Sequence, residues 1–400
     1  MKIDFYDPSF LDNPYPTYVD VRSERAFFDE TWDLTFFTRH SDVSAILKDR
    51  RFGRDFHHVI SREDVDPVVY ERTYPSRYPT WTRYIRNSFI DLEPPRHTRI
   101  RRLVAKAFSR RQAEEFRPHL EQVAEGLLDR ALAVGHMEAI SEYAVPIPLT
   151  MISELMGIPD ADRRQLIDWS HAIVRVFDHN CTPEEGAAAE QAVVEFVGYL
   201  KELLPVRRRK PGIDLISSLL QVEDDGDRLG EDDVIASAIL VLNAGHEATV
   251  HAIGNSLLAL SSRSLRDLKE ADIALAASEL LRYDSPLQMF ERWVLEDLEW
   301  AGVALRRGTK VGLLFGCANH DPDRFSEPHR LDLGRTDNPH LSFGAGIHYC
   351  VGAPLAQVEL EVALAGLSKR VQVFEVDPTR IDRAQSFVFR GVKELHLELS

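Results

Sequence analysis

The long helical pattern from about residue 232 to residue 260 constrains the fold of this 400-residue chain more than any other feature. It opens with acidic residues, which suit the positive end of a helix dipole, and is then apolar on nearly every face. Such a helix lies either inside a large core or in a membrane. Because Asn243, His246 and Glu247 interrupt the pattern and no run of 18 apolar residues occurs, we predict a buried central helix.

The rest of the chain predicts further helices, short strands and one domain. With 44% hydrophobic residues, it can build a core deep enough to enclose a cofactor. No Pro-, Gly- or Ser-rich linker divides it, so we predict a single domain over residues 1–400. Residue patterns predict strands at 32–38 and 311–315, and helices at 42–47, 99–108, 118–133 and 162–177. The predicted class is mainly α with small β-sheets (α+β).

Charge and cysteine content argue against several classes of protein. Lys and Arg number 48 against 64 Asp and Glu, a net charge of −16, which disfavours nucleic-acid binding. Cys181, Cys317 and Cys350 lie far apart with neither a CxxC pair nor metal-binding spacing, so no disulfide framework is expected. The N-terminus lacks the apolar run of a signal peptide or membrane anchor. We therefore expect a cytoplasmic protein without membrane association.

Residues 343–352 place one cysteine in a glycine-rich loop that leads directly into a helix. Apolar residues at helical spacing follow from 353 to 367, so Cys350 is predicted just before a helix N-terminus, where free N–H groups favour a thiolate. Glycines at 344, 346 and 352 allow the backbone to approach a flat cofactor or the sulfur. A thiolate in this setting is able to ligate haem iron.

This loop resembles the haem-ligand signature of the cytochrome P450 family, Phe-Gly-x-Gly-x-His-x-Cys-x-Gly. The signature is matched in full at Phe343, Gly344, Gly346, His348, Cys350 and Gly352. The resemblance implies the P450 fold, with haem b (iron protoporphyrin IX) buried between a long distal helix and the helix that follows the cysteine loop. It also implies that Cys350 is the iron ligand, and that Phe343, Gly344, His348 and Gly352 contact the cofactor.

The central helix carries a second part of the resemblance, at residues 244–249. An internal glycine costs about 1 kcal/mol relative to alanine, so the room beside Ala244 and Gly245 must serve a purpose. In the family, the small pair forms an oxygen groove, and an acid followed by an alcohol relays protons. Glu247 matches the acid. The alternative from the residues alone is a structural carboxylate paired with an arginine, with Thr249 bonded back to its own helix.

The alcohol position departs from the family pattern. Ala248 stands directly after the acid, and Thr249 follows one residue later, rotated by about 100° and shifted by about 1.5 Å along the helix. Either a local bulge returns Thr249 to the usual place, or water or a substrate hydroxyl supplies the missing donor. Glu247 and Thr249 are the candidate catalytic residues.

Other matches are spread along the chain. Glu279 and Arg282 fit the family's Glu-x-x-Arg, and Arg335 is placed to complete a buried network that stabilises the fold. The resemblance further implies that haem carboxylates are held by basic side chains, since buried propionates need cations or donors. The residues assigned to this role are His97, Arg101, Arg292 and His348.

A basic cluster occurs within this acidic chain. Its members are Arg96, Arg99, Arg102, Lys106, Arg110 and Arg111. One interpretation is a solvated helix face. The other is a docking surface for an acidic ferredoxin-type electron donor, served by its own reductase, because the chain contains no flavin or iron–sulfur motif.

Family members surround the substrate with five segments. Carried onto this chain, they are residues 56–89, 169–180, 240–244, 287–290 and 385–389. The first is rich in aromatic residues, which indicates an apolar or aromatic guest or simply packing. The aromatic residues are Tyr70, Tyr74, Tyr78, Trp81, Tyr84 and Phe89. Arginines at 72, 77, 83 and 86 are candidates for binding an anionic group.

Together these observations predict a haem-thiolate monooxygenase that inserts one atom of O2 into a small or medium apolar organic molecule. The same site would also serve peroxide-driven oxidation, desaturation or coupling, or a haem sensor without turnover. A cysteine hydrolase is a further alternative, with His348 near Cys350, but no motif orients such a base.

Overall fold

The computed structural model describes residues 3–221, 223–224, 227–261 and 265–400. Helices dominate these ranges. In chain order the α-helices are α1 (Pro8–Asp12), α2 (Tyr15–Arg22), α3 (His40–Ile46), α4 (Pro67–Thr73), α5 (Pro79–Ile85), α6 (Arg96–Val104), α7 (Arg110–Val134), α8 (Pro146–Met156), α9 (Arg163–Val174), α10 (Pro183–Arg209), α11 (Leu215–Gln221), α12 (Glu231–Leu260), α13 (Leu265–Glu270), α14 (Ile273–Tyr283), α15 (Phe315–Ala318) and α16 (Ala353–Arg370).

The strands form small sheets beside the helices. They are β1 (Ala26–Asp29), β2 (Leu34–Phe37), β3 (Phe52–Gly53), β4 (His136–Glu138), β5 (Glu223–Asp224), β6 (Asp227–Arg228), β7 (Met289–Val294), β8 (Leu298–Trp300), β9 (Val303–Leu305), β10 (Lys310–Leu314), β11 (Phe374–Arg383) and β12 (Val392–Leu399). The largest sheet has the order β1-β2-β10-β7-β3, with β10 parallel to β2 and its other pairs antiparallel. The predicted class, mainly α with small β-sheets, is confirmed.

The central helix α12 lies in the core, as its pattern predicted. Its side chains are buried along most of its length, and it packs against α8, α9, α14 and α16. Helix α16, which begins three residues after Cys350, packs against α7 and α14 as well. Cys350 therefore lies directly before a helix that packs in the core.

The prediction of a helix starting at Pro118 was wrong. Helix α7 begins at Arg110, because Ser109 and Gln112 form a capping box that satisfies the first free N–H groups. Pro118 lies inside the helix. Helix α10 was not predicted, although Thr182 and Glu185 form a second capping box with Pro183 at the first helical position.

Glu279, Arg282 and Arg335 form the buried network expected from the sequence. The side chains of Glu279 and Arg282 are fully buried, and Arg282 Nε lies 2.7 Å from Glu279 Oε2. Arg335 Nε reaches the same oxygen at 3.0 Å. Arg282 also donates hydrogen bonds to the backbone carbonyls of Asn319 and Pro328, at 2.9 and 2.7 Å. These contacts join α14 to the segment that precedes the cysteine loop.

Candidate active site

A cavity of about 660 Å³ separates α12 from the cysteine loop. Nine of the site residues predicted from the sequence line it, from both sides. They are Arg101, Ala244, Thr249, Arg292, Phe343, Gly344, His348, Cys350 and Gly352. His97 and Glu247, the other two, are not among the lining residues. The fold thus brings together residues that are up to 251 positions apart in the sequence.

Backbone contacts fix the cysteine loop in shape. Gly344 and Gly346 have φ of 68° and 72°, a conformation that L side chains rarely adopt. A Cβ on Gly346 would lie 2.2 Å from the carbonyl oxygen of Leu47, so the close approach also requires glycine. The amide of Cys350 donates to the carbonyl of Phe343 at 2.9 Å, which closes the loop.

The surroundings of Cys350 act on its thiol in opposite directions. Burial raises the pKa of the Cys350 thiol, whereas the amides of Gly352 and Ala353 and the charge of Arg101 lower it. These three groups stabilise a negative sulfur, as expected just before the start of α16. A metal ion bound to the sulfur would remove the proton outright.

Four basic side chains stand where the sequence predicted partners for haem carboxylates. Arg292 is buried, and its pKa is lowered to about 9, first by burial and then by the nearby charge of Arg54. The rings of His97 and His348 lie 4.3 Å apart between centroids. His348 Nε2 is 3.3 Å from Glu93 Oε1.

Several donors of this group have no protein partner. Both ring nitrogens of His97 and Nδ1 of His348 are buried without a hydrogen bond. Burial lowers the pKa of His97 to about 4, with the charges of His348 and Arg101 adding to the effect. Buried polar groups are normally satisfied, so unsatisfied ring nitrogens, at least one of which on His97 carries a proton, indicate a polar ligand beside them. A haem with two propionates fits these groups, and Cys350 fits its iron.

Ala248 and Thr249 both line the cavity on α12. The helix is continuous from Glu231 to Leu260, so it contains no bulge at Thr249. Thr249 Oγ1 instead donates to Oε2 of Glu359 on α16, at 3.3 Å. Burial raises the pKa of the Glu359 carboxyl to about 8, with the Thr249 hydrogen bond acting in the other direction. A protonated acid therefore lies at the cavity wall near neutral pH.

Glu247 points away from the cavity into a cluster of imidazoles. Its Oε1 is 3.1 Å from His171 Nε2 and 3.7 Å from His246 Nδ1, and its Oε2 is 3.8 Å from His251 Nε2. Burial alone would raise the pKa of the Glu247 carboxyl, but the three histidines outweigh it and hold the pKa below its ordinary value. The side chain of His171 is 55% exposed, so this cluster connects Glu247 with solvent.

The predicted substrate segments reach the cavity only in part. Of the six aromatic residues between 70 and 89, Tyr78 and Phe89 line the cavity. Tyr70 and Tyr74 pack in a separate core beside Phe56. The middle of the wall is apolar and includes Ile85, Phe89, Ile152, Val176, Leu240, Leu287, Phe290, Val388 and Phe389.

Four residues of the site were not predicted. Glu359 had a weak signal, since it is an acid among apolar neighbours on the helix that follows Cys350. His171 had none, because only the packing of α9 on α12 brings it to Glu247. Arg54 and Glu93 likewise depend on tertiary contacts with Asp91 and His348.

Comparisons with known proteins show what this chain is similar to in sequence and in fold. A family model described as cytochrome P450 matches residues 274–393. The polyketide biosynthesis cytochrome P450 PksS of Bacillus subtilis (strain 168) is 36% identical, with 98% of this chain and 97% of PksS covered. The cytochrome P450 monooxygenase PikC of Streptomyces venezuelae is 34% identical, with 96% and 91% covered. The crystal structure of myxobacterial CYP267B1 in complex with myristic acid has a TM-score of 0.89 and 32% identity, with 99% of each chain covered.

None of the helices in the described ranges combines the length and hydropathy that a membrane span requires.

Proposed function

This chain belongs to the cytochrome P450 family and is a monooxygenase that binds haem b, and from this we propose the reaction that it catalyses. It inserts one oxygen atom of O2 into a small or medium apolar organic substrate, with electrons from a ferredoxin-type donor and its reductase. The observation that carries this proposal is the cavity in which Cys350 faces Ala248 and Thr249 of the central helix. Substrate-dependent O2 consumption that matches product formation would test it, and consumption without product would contradict it.

Haem b, when bound, supplies the activation of O2 and the transfer of one oxygen atom. The protein contributes Cys350 as the iron ligand, with Phe343, Gly344, Gly352 and Ala244 beside the cofactor. His97, Arg101, Arg292 and His348 would hold its carboxylates, which is supported by the buried ring nitrogens of His97 and His348 that lack a hydrogen bond. The apolar wall excludes water and receives the substrate.

We further propose that Glu359 and Thr249 deliver one of the two protons that the reaction consumes. When Glu359 is protonated, its O–H is able to donate to Thr249 Oγ1, which leaves the hydroxyl proton of Thr249 able to pass into the cavity. In this proposal Thr249 acts from its position one residue after Ala248. Glu247 is not part of this pair, because its side chain lies outside the cavity lining among His171, His246 and His251.

Replacing Glu359 with Gln is expected to lower product formation by about 100-fold, because a positioned proton donor contributes about 10²–10⁴-fold. The wild-type rate should fall as pH rises through about 8, because the Glu359 carboxyl carries its proton only below that pKa. The variant should lack this fall. Turnover with a coupled substrate at pH 6.5 to 9.5 measures both effects.

Thr249→Ala should lower product formation as much as Glu359→Gln does. The double variant should lower it no further than either single variant, since the two residues act as one unit. Thr249→Ser keeps the hydroxyl and serves as the control. If Thr249→Ala retains its yield of product per electron, water or substrate supplies the proton and the pair has no such role.

The proposed donor site is the exposed side of α6. Arg101 on this helix donates to the carbonyl of Tyr349, directly before Cys350, so the helix borders the cysteine loop. Four members of the basic cluster lie close to acids of the same chain. Arg96 and Arg99 reach Asp233, at 3.7 and 3.2 Å, and Arg110 and Arg111 reach acids one turn along α7. Arg102 and Lys106 are exposed, and they are the positions chosen to test this surface.

Arg102→Glu with Lys106→Glu is expected to slow reduction by a ferredoxin at least about 10-fold, and the wild-type rate should fall with salt, because exposed charges are screened over about 8–10 Å. Stopped-flow reduction measures both. The matched control is Arg208→Glu with Arg209→Glu, an equal change of charge at the exposed end of α10. Equal slowing in both variants would show that net charge, and not this surface, controls the rate.

A further inference from the structure

Arg72 on α4 lines the cavity, and it has no hydrogen-bonding or ion-pair partner among the residues that the structure describes. Its Nη2 atom is fully buried and has no hydrogen bond. Across the described ranges, no carboxylate lies within ion-pair distance of this guanidinium. Arg72 is half-buried, and a buried donor atom is normally hydrogen-bonded, so its Nη2 atom indicates an acceptor supplied from outside the chain.

The acids nearest to this end of the cavity are already engaged. Glu291 is paired with Lys310, and Asp178 is paired with Arg175 at 3.1 Å. Glu71 accepts hydrogen bonds from the backbone and hydroxyl of Ser76. Each of these carboxylates therefore already has a partner other than Arg72.

A second cation strengthens the positive character of this end. Arg77 also lines the cavity, and its guanidinium lies over the ring of Tyr78, 5.3 Å from the centroid. His179, close by, is uncharged at neutral pH, since burial lowers its pKa to about 4. The charge of Arg72 acts on His179, Glu291 and Lys310, which places it among them.

We propose that Arg72, assisted by Arg77, binds the carboxylate of an apolar carboxylic acid whose hydrocarbon body fills the rest of the cavity. The planar guanidinium matches a carboxylate in a two-point hydrogen-bonded pair. The apolar middle of the wall suits the hydrocarbon part. This inference rests on the proposed function, because it names the substrate class of the same cavity.

The test compares binding of dodecanoate and of dodecanol, which share a chain and differ in the charged group. Isothermal calorimetry on the holoenzyme should show dodecanoate binding about 10–100-fold more tightly, as a hydrogen bond to a charged group gives. Arg72→Gln should abolish this preference without weakening dodecanol, and Arg72→Lys should keep part of it. Equal affinities in the wild-type protein, or an unchanged preference in Arg72→Gln, would overturn the proposal.

Arg83→Gln is the matched control. Arg83 is an exposed arginine of the neighbouring helix α5 and is paired with Asp232 at 2.7 Å, so its loss should leave the preference intact. The carbon-monoxide spectrum of the same preparation distinguishes failure of the carboxylate site from failure of the proposed function. A thiolate spectrum without a preference rejects the carboxylate site alone. Loss of the thiolate spectrum rejects the proposed function, while calorimetry still reports on Arg72.

Discussion

Replacing Cys350 with Ser is expected to abolish the strongly red-shifted thiolate band of the reduced carbon-monoxide complex and to reduce product formation to background. The serine oxygen does not supply the electron density that a thiolate gives to haem iron. Difference spectroscopy of the reduced protein measures the band, and product analysis measures turnover.

The other two cysteines provide the controls. Cys181 also lines the cavity, and burial raises the pKa of its thiol. Cys317 lies in α15, where burial raises its pKa to about 12 and its Sγ is 3.6 Å from the carbonyl of Tyr18. Cys181→Ser and Cys317→Ser should keep the band. A band that survives in Cys350→Ser and disappears in Cys181→Ser would move the iron ligand to Cys181.

Glu279→Gln is expected to lower the free energy of unfolding by about 3–5 kcal/mol, because it leaves the buried guanidinium of Arg282 without its counter-charge. Arg335, which is 10% exposed, would lose its partner as well. Urea unfolding of the holoenzyme, followed by tryptophan fluorescence, measures the loss.

An exposed ion pair with the same spacing shows how much burial contributes to the free energy of unfolding. Arg330 lies 2.8 Å from Glu327 three residues earlier, with both side chains more than 60% exposed. Arg330→Gln should cost less than about 1 kcal/mol, as exposed ion pairs usually do. Similar losses in the two variants would mean that the Glu279 network stabilises the fold no more than a surface contact. If Glu279→Gln yields no folded protein, Arg335→Gln gives the intermediate case.

Local patterns explain how much of the fold was predictable. The span of α12 was predicted to within a residue, because an apolar stretch with an acidic start allows few alternatives. The cysteine loop was predictable because its glycines and cysteine are neighbours in the sequence. The start of α7 was missed because Pro118 is a strong helix-start signal and outweighed the weaker capping box at Ser109.

The candidate site was predictable only where one segment carries it. Thr249 was predicted as a catalytic candidate and lines the cavity, but its partner Glu359 lies 110 residues away, and only the packing of α12 on α16 joins them. Glu247 was identified, but the direction of its side chain depends on His171 from α9. The aromatic residues after position 70 were ambiguous for the same reason, since composition does not reveal which ring faces a cavity.

The Glu279 network also has a consequence for the order in which the chain folds. Its side-chain contacts join residues at most 59 positions apart, whereas the cavity wall takes residues from Thr31 to Phe389. Closing a short loop costs less chain entropy than closing a long one, and local contacts form sooner than distant ones. We therefore expect the segment around Arg282 and Arg335 to assemble early. The two faces of the cavity would meet late, when the cofactor is still able to enter between them.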